Sequence, residues 1–286
     1  MKTRAGKISQ LKEYFTKRGD VLMAFLFGSQ ASGKARTLSD WDIAVYFVPR
    51  QPKIEWEESR TYPEEDHIWK DLTDILATDS VDLLVLNRAP ASIAETAVQG
   101  EALVIKDGSL RRKFVGIVSS IAQDYRRFVD EFYAISQRSQ SLTDRDREDM
   151  QRTISFLEEQ VGLYGVYRQF TREEYEREPR KRNEIERWLE NIVNAIIDIS
   201  KVSLASRKRP IPPTYRETVT RALSELELPE MLGEQCDQWV RLRNDLAHEY
   251  LDIKWQRLTA FAQDSEESVR GFISGAKQFI KQEKMA

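Results

Sequence analysis

Two short polar motifs stand at the ends of apolar runs within the first fifty residues. The run 21–27 is entirely apolar and stops at Gly28-Ser29, and Asp40-Trp41-Asp42 leads directly into the apolar run 43–48. Apolar runs of this length are typical of buried strands. The sequence therefore predicts two buried strands, each with a polar motif at one end.

The residue types in these motifs suit a phosphate and a metal ion. A glycine allows backbone amides to approach a phosphate closely, and Ser29 adds a hydroxyl donor. Asp40 and Asp42 are two positions apart, so on a strand both carboxylates point to one face, while Trp41 points to the other and is expected to pack. Paired hard oxygen ligands suit a magnesium ion that also holds nucleotide phosphates. Taken singly, Gly-Ser is also typical of a turn and Asp-x-Asp of a solvated loop.

The combined order of strand, Gly28-Ser29, about ten residues, Asp-x-Asp and strand resembles the polymerase-β-like nucleotidyltransferase superfamily, in particular the minimal nucleotidyltransferases (MNT). The family has a third carboxylate on a neighbouring strand, and Asp82 at the start of the apolar run 81–86 matches it. The resemblance implies that Asp40, Asp42 and Asp82, here called the acidic cluster, bind Mg²⁺. It also implies that Asp82 acts as a catalytic base. The family often carries arginine where Ser32 stands, so the phosphate-binding side of the site has less positive charge in this chain.

The second half of the chain has a different pattern. After a last strand signal at 101–105, apolar residues recur at spacings of three and four, which predicts helices from Ser109 onward. Long helices are expected at 145–168, 181–206 and 255–281, with Thr143 as a helix cap and prolines near 210–213 as an interruption. The predicted domains are 1–140 and 141–286, with the boundary in a polar stretch at 136–141. The fold class is α+β, with an all-α bundle as its second part.

The helical half contains Arg243-Asn244 followed by His248 and Tyr250. Arg243 offers a permanently charged fork for a phosphate, and His248 can move a proton near neutral pH, so the pair could cleave a phosphodiester without metal. Five helical positions rotate by about 140°, so these two side chains do not share one helix face. A capped helix end is the alternative interpretation.

The spacing Arg243-x4-His248-x-Tyr250 resembles the signature of HEPN domains, all-helical modules of which many are ribonucleases. The resemblance implies catalytic roles for Arg243, Asn244 and His248 on an RNA substrate. It also implies a homodimer, because two HEPN domains pair about a two-fold axis and build a shared cleft. The predicted architecture is thus a polymerase-β-like nucleotidyltransferase domain followed by an all-α HEPN bundle.

Together the resemblances imply a toxin and its antitoxin on one chain. In the separate antitoxins, AMP is transferred from ATP to the tyrosine of the HEPN motif, here Tyr250. Gly28 and Ser29 would hold the phosphates, and the acidic cluster would hold Mg²⁺. Two alternatives stay open: an aminoglycoside-type nucleotidyltransferase whose helices bind a small molecule, and a HEPN half that is a non-catalytic interaction module.

Composition sets outer limits on function. The net charge of −3 argues against a wholly basic nucleic-acid coat, so any RNA contact must be a local patch. No apolar stretch approaches the ~20 residues of a membrane span, and the single cysteine, Cys236, excludes an internal disulfide framework. These features predict a cytoplasmic protein without a membrane partner.

Overall fold

The computed structural model describes residues 3–31, 39–50, 53–138, 141–248 and 254–285. The chain divides into two compact units, residues 1–124 and 125–286. The boundary predicted after residue 140 falls beside residues 139 and 140, which lie outside the described ranges, so the domain limits stay a prediction. In the described ranges no helix is long and apolar enough to cross a membrane.

The first unit alternates helices with strands. In chain order its elements are α1 Arg4–Lys17, β1 Val21–Phe27, α2 Gly28–Ala31, β2 Trp41–Phe47, α3 Glu64–Leu76, β3 Val81–Val85, α4 Ala91–Val98, β4 Glu101–Ile105 and the first part of α5 Gly108–Arg138. The strands of the described residues form one mixed sheet in the order β3-β2-β1-β4, with β2 and β3 parallel and the other pairs antiparallel. The strands predicted from the four apolar runs are confirmed.

Helices cover both faces of this sheet because side chains alternate along each strand. On one face, Ile43 and Val45 of β2 pack with apolar residues of α1 and α3. On the other face, Ala44 and Tyr46 pack with α4 and the beginning of α5. Both faces are therefore sealed, and the charged residues of β2 and β3, Asp42 and Asp82, lie near the strand ends.

The second unit is helical throughout its described part. After α5 it contains α6 Asp144–Val161, α7 Tyr164–Tyr167, α8 Arg172–Arg177, α9 Pro179–Ser206, α10 Tyr215–Glu225, α11 Leu232–His248, α12 Trp255–Asp264 and α13 Glu266–Met285. Almost every residue of α9 from Ile192 to Ser206 is buried, so α9 is the central helix around which the others pack. The predicted all-helical second half is confirmed.

Two of the predicted long helices are each divided. The segment 145–168 breaks at Gly162 and Leu163 between α6 and α7, and the segment 255–281 breaks at Ser265 between α12 and α13. Ser265 is buried, and its hydroxyl forms a 2.6 Å hydrogen bond with the hydroxyl of Tyr164. This contact joins the two breaks in the core, a tertiary interaction that local periodicity does not reveal.

A buried carboxylate anchors the connection between β2 and α3. Glu55 is only 4% exposed, and its Oε2 accepts hydrogen bonds from Asn87 at 3.0 Å and Tyr62 at 3.3 Å. The same oxygen pairs with Nη2 of Arg60 at 3.0 Å, and Oε1 accepts from the backbone N–H of Arg50. The segment that follows β2 is rich in acids, and the structure uses one of them as an internal crosslink.

We predict that Glu55→Gln destabilises the protein by about 1 to 3 kcal/mol, because the amide turns an acceptor into a donor that faces donors of Asn87 and Arg60. Urea denaturation measures the loss. Glu13→Gln is the control, since Glu13 forms an exposed pair with Lys17 and its loss is expected to leave the midpoint of denaturation nearly unchanged. Equal stability of the two variants would contradict the anchoring role of Glu55.

Candidate functional site

The backbone of Gly28 lies against the carboxylate of Asp42. Gly28 has a φ of +68°, in the left-handed region that favours glycine. A Cβ atom placed there would lie 2.1 Å from Oδ2 and 2.8 Å from Cγ of Asp42. Any side chain at position 28 would therefore displace Asp42. The Gly-Ser motif and the acidic motif are parts of one site.

The register of the sheet brings Asp82 to the same place. Asp42 and Asp82 are partners in the parallel pairing of β2 with β3, so their side chains are neighbours on one face. Burial raises the pKa of Asp42 above its usual value, and the negative charges of Asp82 and Asp40 raise it further. Asp40 and Asp82 therefore both act electrostatically on Asp42.

The donor set suits a hard divalent cation, because neighbouring carboxylates that repel each other gain most from a shared positive charge. In the residues described, however, no group of three or more His, Cys, Asp or Glu side chains is arranged so that it could hold a metal ion. The roles of Asp40, Asp42 and Asp82 as metal ligands stay a prediction, for which the in-register pair Asp42 and Asp82 is the structural basis.

Gln30 connects the two ends of the segment between the motifs. Its side chain is buried, and its Nε2 donates a 3.0 Å hydrogen bond to the backbone carbonyl of Ser39, next to Asp40. Nη2 of Arg4 donates to the backbone carbonyl of Gln30 at 2.5 Å. Ser29 lies beside it in α2 and is half-buried. Residues 32–38, including Ser32, are outside the described part of the chain.

Trp41 is 6% exposed and belongs to the core between the sheet and α1. Adjacent residues of a strand point to opposite faces of the sheet, so the indole of Trp41 packs on the face opposite to the carboxylate of Asp42. The prediction that Trp41 packs is confirmed.

In the second unit, Arg243 of α11 is held by groups from three helices. Its Nε donates a 2.8 Å hydrogen bond to Oδ1 of Asn194 on α9, and its Nη1 donates to Oδ1 of Asn244 at 3.1 Å. Its guanidinium carbon lies over the ring of Tyr215 on α10, 5.6 Å from the ring centroid. The predicted phosphate-binding arginine therefore has a fixed orientation.

The structure describes the other predicted residues of this motif only in part. Asn244 is 1% exposed, and its amide oxygen accepts a hydrogen bond from Arg243, whereas its catalytic role stays a prediction. α11 continues to His248, so Arg243 and His248 lie five positions apart on one helix, as the geometric argument assumed. The side chain of His248 and the whole of Tyr250 lie outside the described residues.

Three supporting residues were missed as site residues by sequence reasoning: Gln30, Asn194 and Tyr215. Asn194 does leave a signal, since it is an uncharged polar residue between the apolar residues Val193 and Ala195. Gln30 leaves none, because it stands in a short polar stretch beside Ser29. Tyr215 leaves none, because an aromatic residue at the start of a helix is typical of ordinary core packing.

The raised pKa of Asp42 predicts a pH-dependent cost to stability. A raised carboxyl pKa stabilises the fold below the usual aspartate pKa, and this contribution is lost as pH rises through the raised value. At neutral pH the folded protein therefore contains an ionised Asp42 that is repelled by Asp82 and Asp40, and this repulsion lowers its stability. We predict that Asp42→Asn raises the melting temperature at pH 7 in EDTA, and that the gain shrinks as pH falls through the raised pKa toward about 4, the usual aspartate value.

Asp74→Asn is the matched control, because Asp74 is an exposed carboxylate on α3. It is expected to leave the melting temperature unchanged at both pH values. A melting temperature of Asp42→Asn at or below that of the unmodified protein at pH 7 would show that the acidic cluster is not under repulsion.

Comparison with known families finds a match for each half of the chain. Residues 9–109 match the family described as polymerase beta, nucleotidyltransferase, and residues 147–275 match the family described as ribonuclease HepT-like. No curated protein matches the chain. The first match contains Gly28 and the acidic cluster, and the second contains Arg243 and its supports. The chain is therefore a fusion of a polymerase-β-type nucleotidyltransferase domain with a HepT-like, HEPN-type ribonuclease domain.

Proposed function

We propose that this protein is a single-chain toxin and antitoxin. Its nucleotidyltransferase half transfers AMP from ATP to Tyr250, and the modification silences the RNase activity of its HEPN half. The observation that carries the proposal is the contact of Asp42 with the Gly28 backbone, beside Asp82 in register. It supports a nucleotide site because it joins a phosphate-type turn to a cation-type carboxylate pair.

The transfer reaction assigns a part to each predicted residue. Mg²⁺ held by Asp42 and Asp82, with Asp40 beside them, would supply positive charge at the α-phosphate. The backbone at Gly28 and the hydroxyl of Ser29 hold the outgoing pyrophosphate.

The tyrosine hydroxyl is the nucleophile of this reaction. It forms the new bond to the α-phosphorus while the bond from that phosphorus to the bridging oxygen of pyrophosphate breaks. Asp82 accepts the hydroxyl proton, which a tyrosine retains at pH 7 without such help.

The nuclease reaction needs a bound phosphate and a proton carrier. Arg243 binds the scissile phosphate, and His248 takes the proton of the neighbouring ribose 2′-hydroxyl, whose oxygen bonds to phosphorus while the bond to the 5′-oxygen of the next nucleotide breaks. The departing 5′-oxygen then receives a proton from the imidazole. Arg243 and His248 of one chain do not share a helix face. Two HEPN domains that pair about a two-fold axis supply both residue types to one cleft, so a complete site does not require them to share a face. The HepT-like match over residues 147–275 favours RNA over a small-molecule substrate.

Silencing follows from the placement of the modified residue. Tyr250 lies two positions after His248 in the sequence. An AMP group on Tyr250 brings an anionic phosphate that competes with RNA for Arg243. Modification and substrate binding are then mutually exclusive.

We predict that incubation with ATP and Mg²⁺ adds the mass of one or more AMP groups to the intact protein, because the acidic cluster and Gly28 present the α-phosphate to Tyr250. Intact-mass spectrometry measures the product. Tyr250→Phe and Asp42→Asn are each expected to abolish the addition, whereas the Asp74→Asn control retains it. Added AMP on Tyr250→Phe would remove that residue from the reaction.

Mixing the two inactive variants tests the route of transfer. Asp42→Asn keeps the acceptor and Tyr250→Phe keeps the predicted donor site, and the two chains differ in mass. AMP on the Asp42→Asn chain in the mixture means transfer between chains. If neither variant chain gains AMP in the mixture, while the protein without substitutions does gain AMP, the transfer is within one chain.

We predict that protein free of AMP cleaves RNA in EDTA, because the phosphate charge is met by Arg243 rather than by a metal ion. Cleavage is measured on an unstructured RNA, and blocking each 2′-hydroxyl with a methyl group is expected to stop it. Arg243→Ala and His248→Ala should each lower the rate by at least about 100-fold. Persistent cleavage by either variant would exclude that residue, and no cleavage by unmodified protein under any condition would favour a non-catalytic HEPN module.

A further inference from the structure

Among the described residues, Arg243 forms hydrogen bonds through its Nε and Nη1 atoms, whereas none is made by Nη2. Nε donates to Asn194 at 2.8 Å, and one N–H of Nη1 donates to Asn244 at 3.1 Å. An arginine has five N–H donors in a rigid plane, so fixing these two fixes the directions of the rest. The remaining donors are one N–H of Nη1 and both N–H groups of Nη2, and guanidinium N–H groups of this kind bind phosphate oxygens.

The two acceptors are neutral amides, and this preserves the charge of Arg243. In the described part of the chain no carboxylate pairs with Arg243. Neighbouring arginines differ, because Arg216 and Arg241 both pair with Asp237, and Arg257 pairs with Asp245. A carboxylate would orient the guanidinium equally well, but it would cancel the charge that attracts a phosphate. Amide acceptors orient the side chain and leave its charge intact.

Asn194 occupies a position where local packing favours an apolar residue. Its sequence neighbours Val193, Ala195 and Ile196 are each at most 4% exposed in the core around α9. A polar amide in such a helix segment costs stability unless it is hydrogen-bonded. The bond to Arg243 meets that need, so the placement of Asn194 is explained by its partner.

Tyr215 completes the support from the third side. Its ring packs edge-on against Tyr125 and Phe128, with centroids 5.3 and 5.2 Å apart, and the guanidinium of Arg243 lies over it. The ring is itself held in the core, so it limits movement of the guanidinium perpendicular to its plane.

We propose that Asn194 is a positioning residue for Arg243: it anchors the Nε edge so that the charged Nη end faces the scissile phosphate of RNA. The inference rests on the proposed RNase activity, and it deepens that activity by assigning a residue outside the Arg243–Tyr250 motif. Asn194 does not contact the substrate, and it acts only through the orientation and charge of Arg243.

Three variants test the proposal. Asn194→Ala removes the anchor, and Asn194→Asp keeps the anchor while adding a negative charge. Asn191→Ala is the matched control, one turn earlier on α9, where the amide of Asn191 bonds to Gln160 at 3.4 Å. Melting temperatures of all three establish that each variant is folded.

The first readout is solvent exchange of the Arg243 Nε–H, followed by NMR with ¹⁵N-labelled arginine and assigned with Arg243→Lys. We expect slow exchange in the unmodified protein, in Asn194→Asp and in Asn191→Ala, and fast exchange in Asn194→Ala. Fast exchange in the unmodified protein, or slow exchange in Asn194→Ala, overturns the anchoring.

The second readout is affinity for RNA whose 2′-hydroxyls are methylated, together with the kcat and KM for cleavable RNA. We expect Asn194→Ala to lower kcat/KM by about 10- to 100-fold. We expect Asn194→Asp to weaken RNA binding although the Nε–H of Arg243 stays protected in that variant. We expect Asn191→Ala to change neither RNA affinity nor kcat/KM. Unchanged affinity in Asn194→Asp overturns the charge argument.

Failure of the RNase proposal gives a different result. If the unmodified protein does not cleave RNA, the proposed function fails, while exchange and binding still decide the role of Asn194. If it does cleave RNA and Asn194→Ala behaves like Asn191→Ala in every readout, the inference alone fails.

Discussion

The close contact between the Gly28 backbone and the Asp42 carboxylate is the constraint on which the first half of the protein depends. It requires a residue without a side chain at the end of β1, and it holds a charged group where the sheet would otherwise be sealed by apolar packing. The parallel register with β3 then adds Asp82 beside it. Carboxylates crowded in this way weaken the fold at neutral pH, a trade of stability for function that is typical of binding sites.

The second half solves a different electrostatic problem. In the proposed function it presents a cation to a phosphate without letting a neighbouring acid neutralise it, on a surface rich in both signs of charge. Asn194 and Asn244 meet this requirement with neutral oxygens, whereas Asp237 pairs with the arginines nearby. The two halves thus use opposite arrangements, carboxylates gathered together in one and kept apart from a key arginine in the other.

Much of this could be predicted from the sequence because the signals are local. The run 21–27 ends in a glycine whose conformation demands it, and the alternation along β2 correctly sends Trp41 into the core and Asp42 to the other face. The helical periodicity of the second half correctly predicted that long helices form there. The breaks at Gly162 and Ser265, by contrast, depend on a contact across the core, between Ser265 and Tyr164.

The supporting residues show the same limit. Asn194 and Arg243 are distant in sequence and meet only because α9 and α11 pack together, and Glu55 is internal only because Asn87 and Arg60 reach it. Spacing within one segment cannot reveal such pairs. Residues that do chemistry carry motifs, whereas the residues that hold them in place are found only in three dimensions.

The central claim is that Gly28 and the acidic cluster form one site for a nucleotide with its cation. Calorimetric titration of a non-hydrolysable ATP analogue into the unmodified protein and into a folded Gly28→Ala variant tests it most directly. The account predicts binding that requires Mg²⁺ and is lost in Gly28→Ala, because the added Cβ displaces Asp42. Binding of equal strength without Mg²⁺, or in Gly28→Ala, would contradict it.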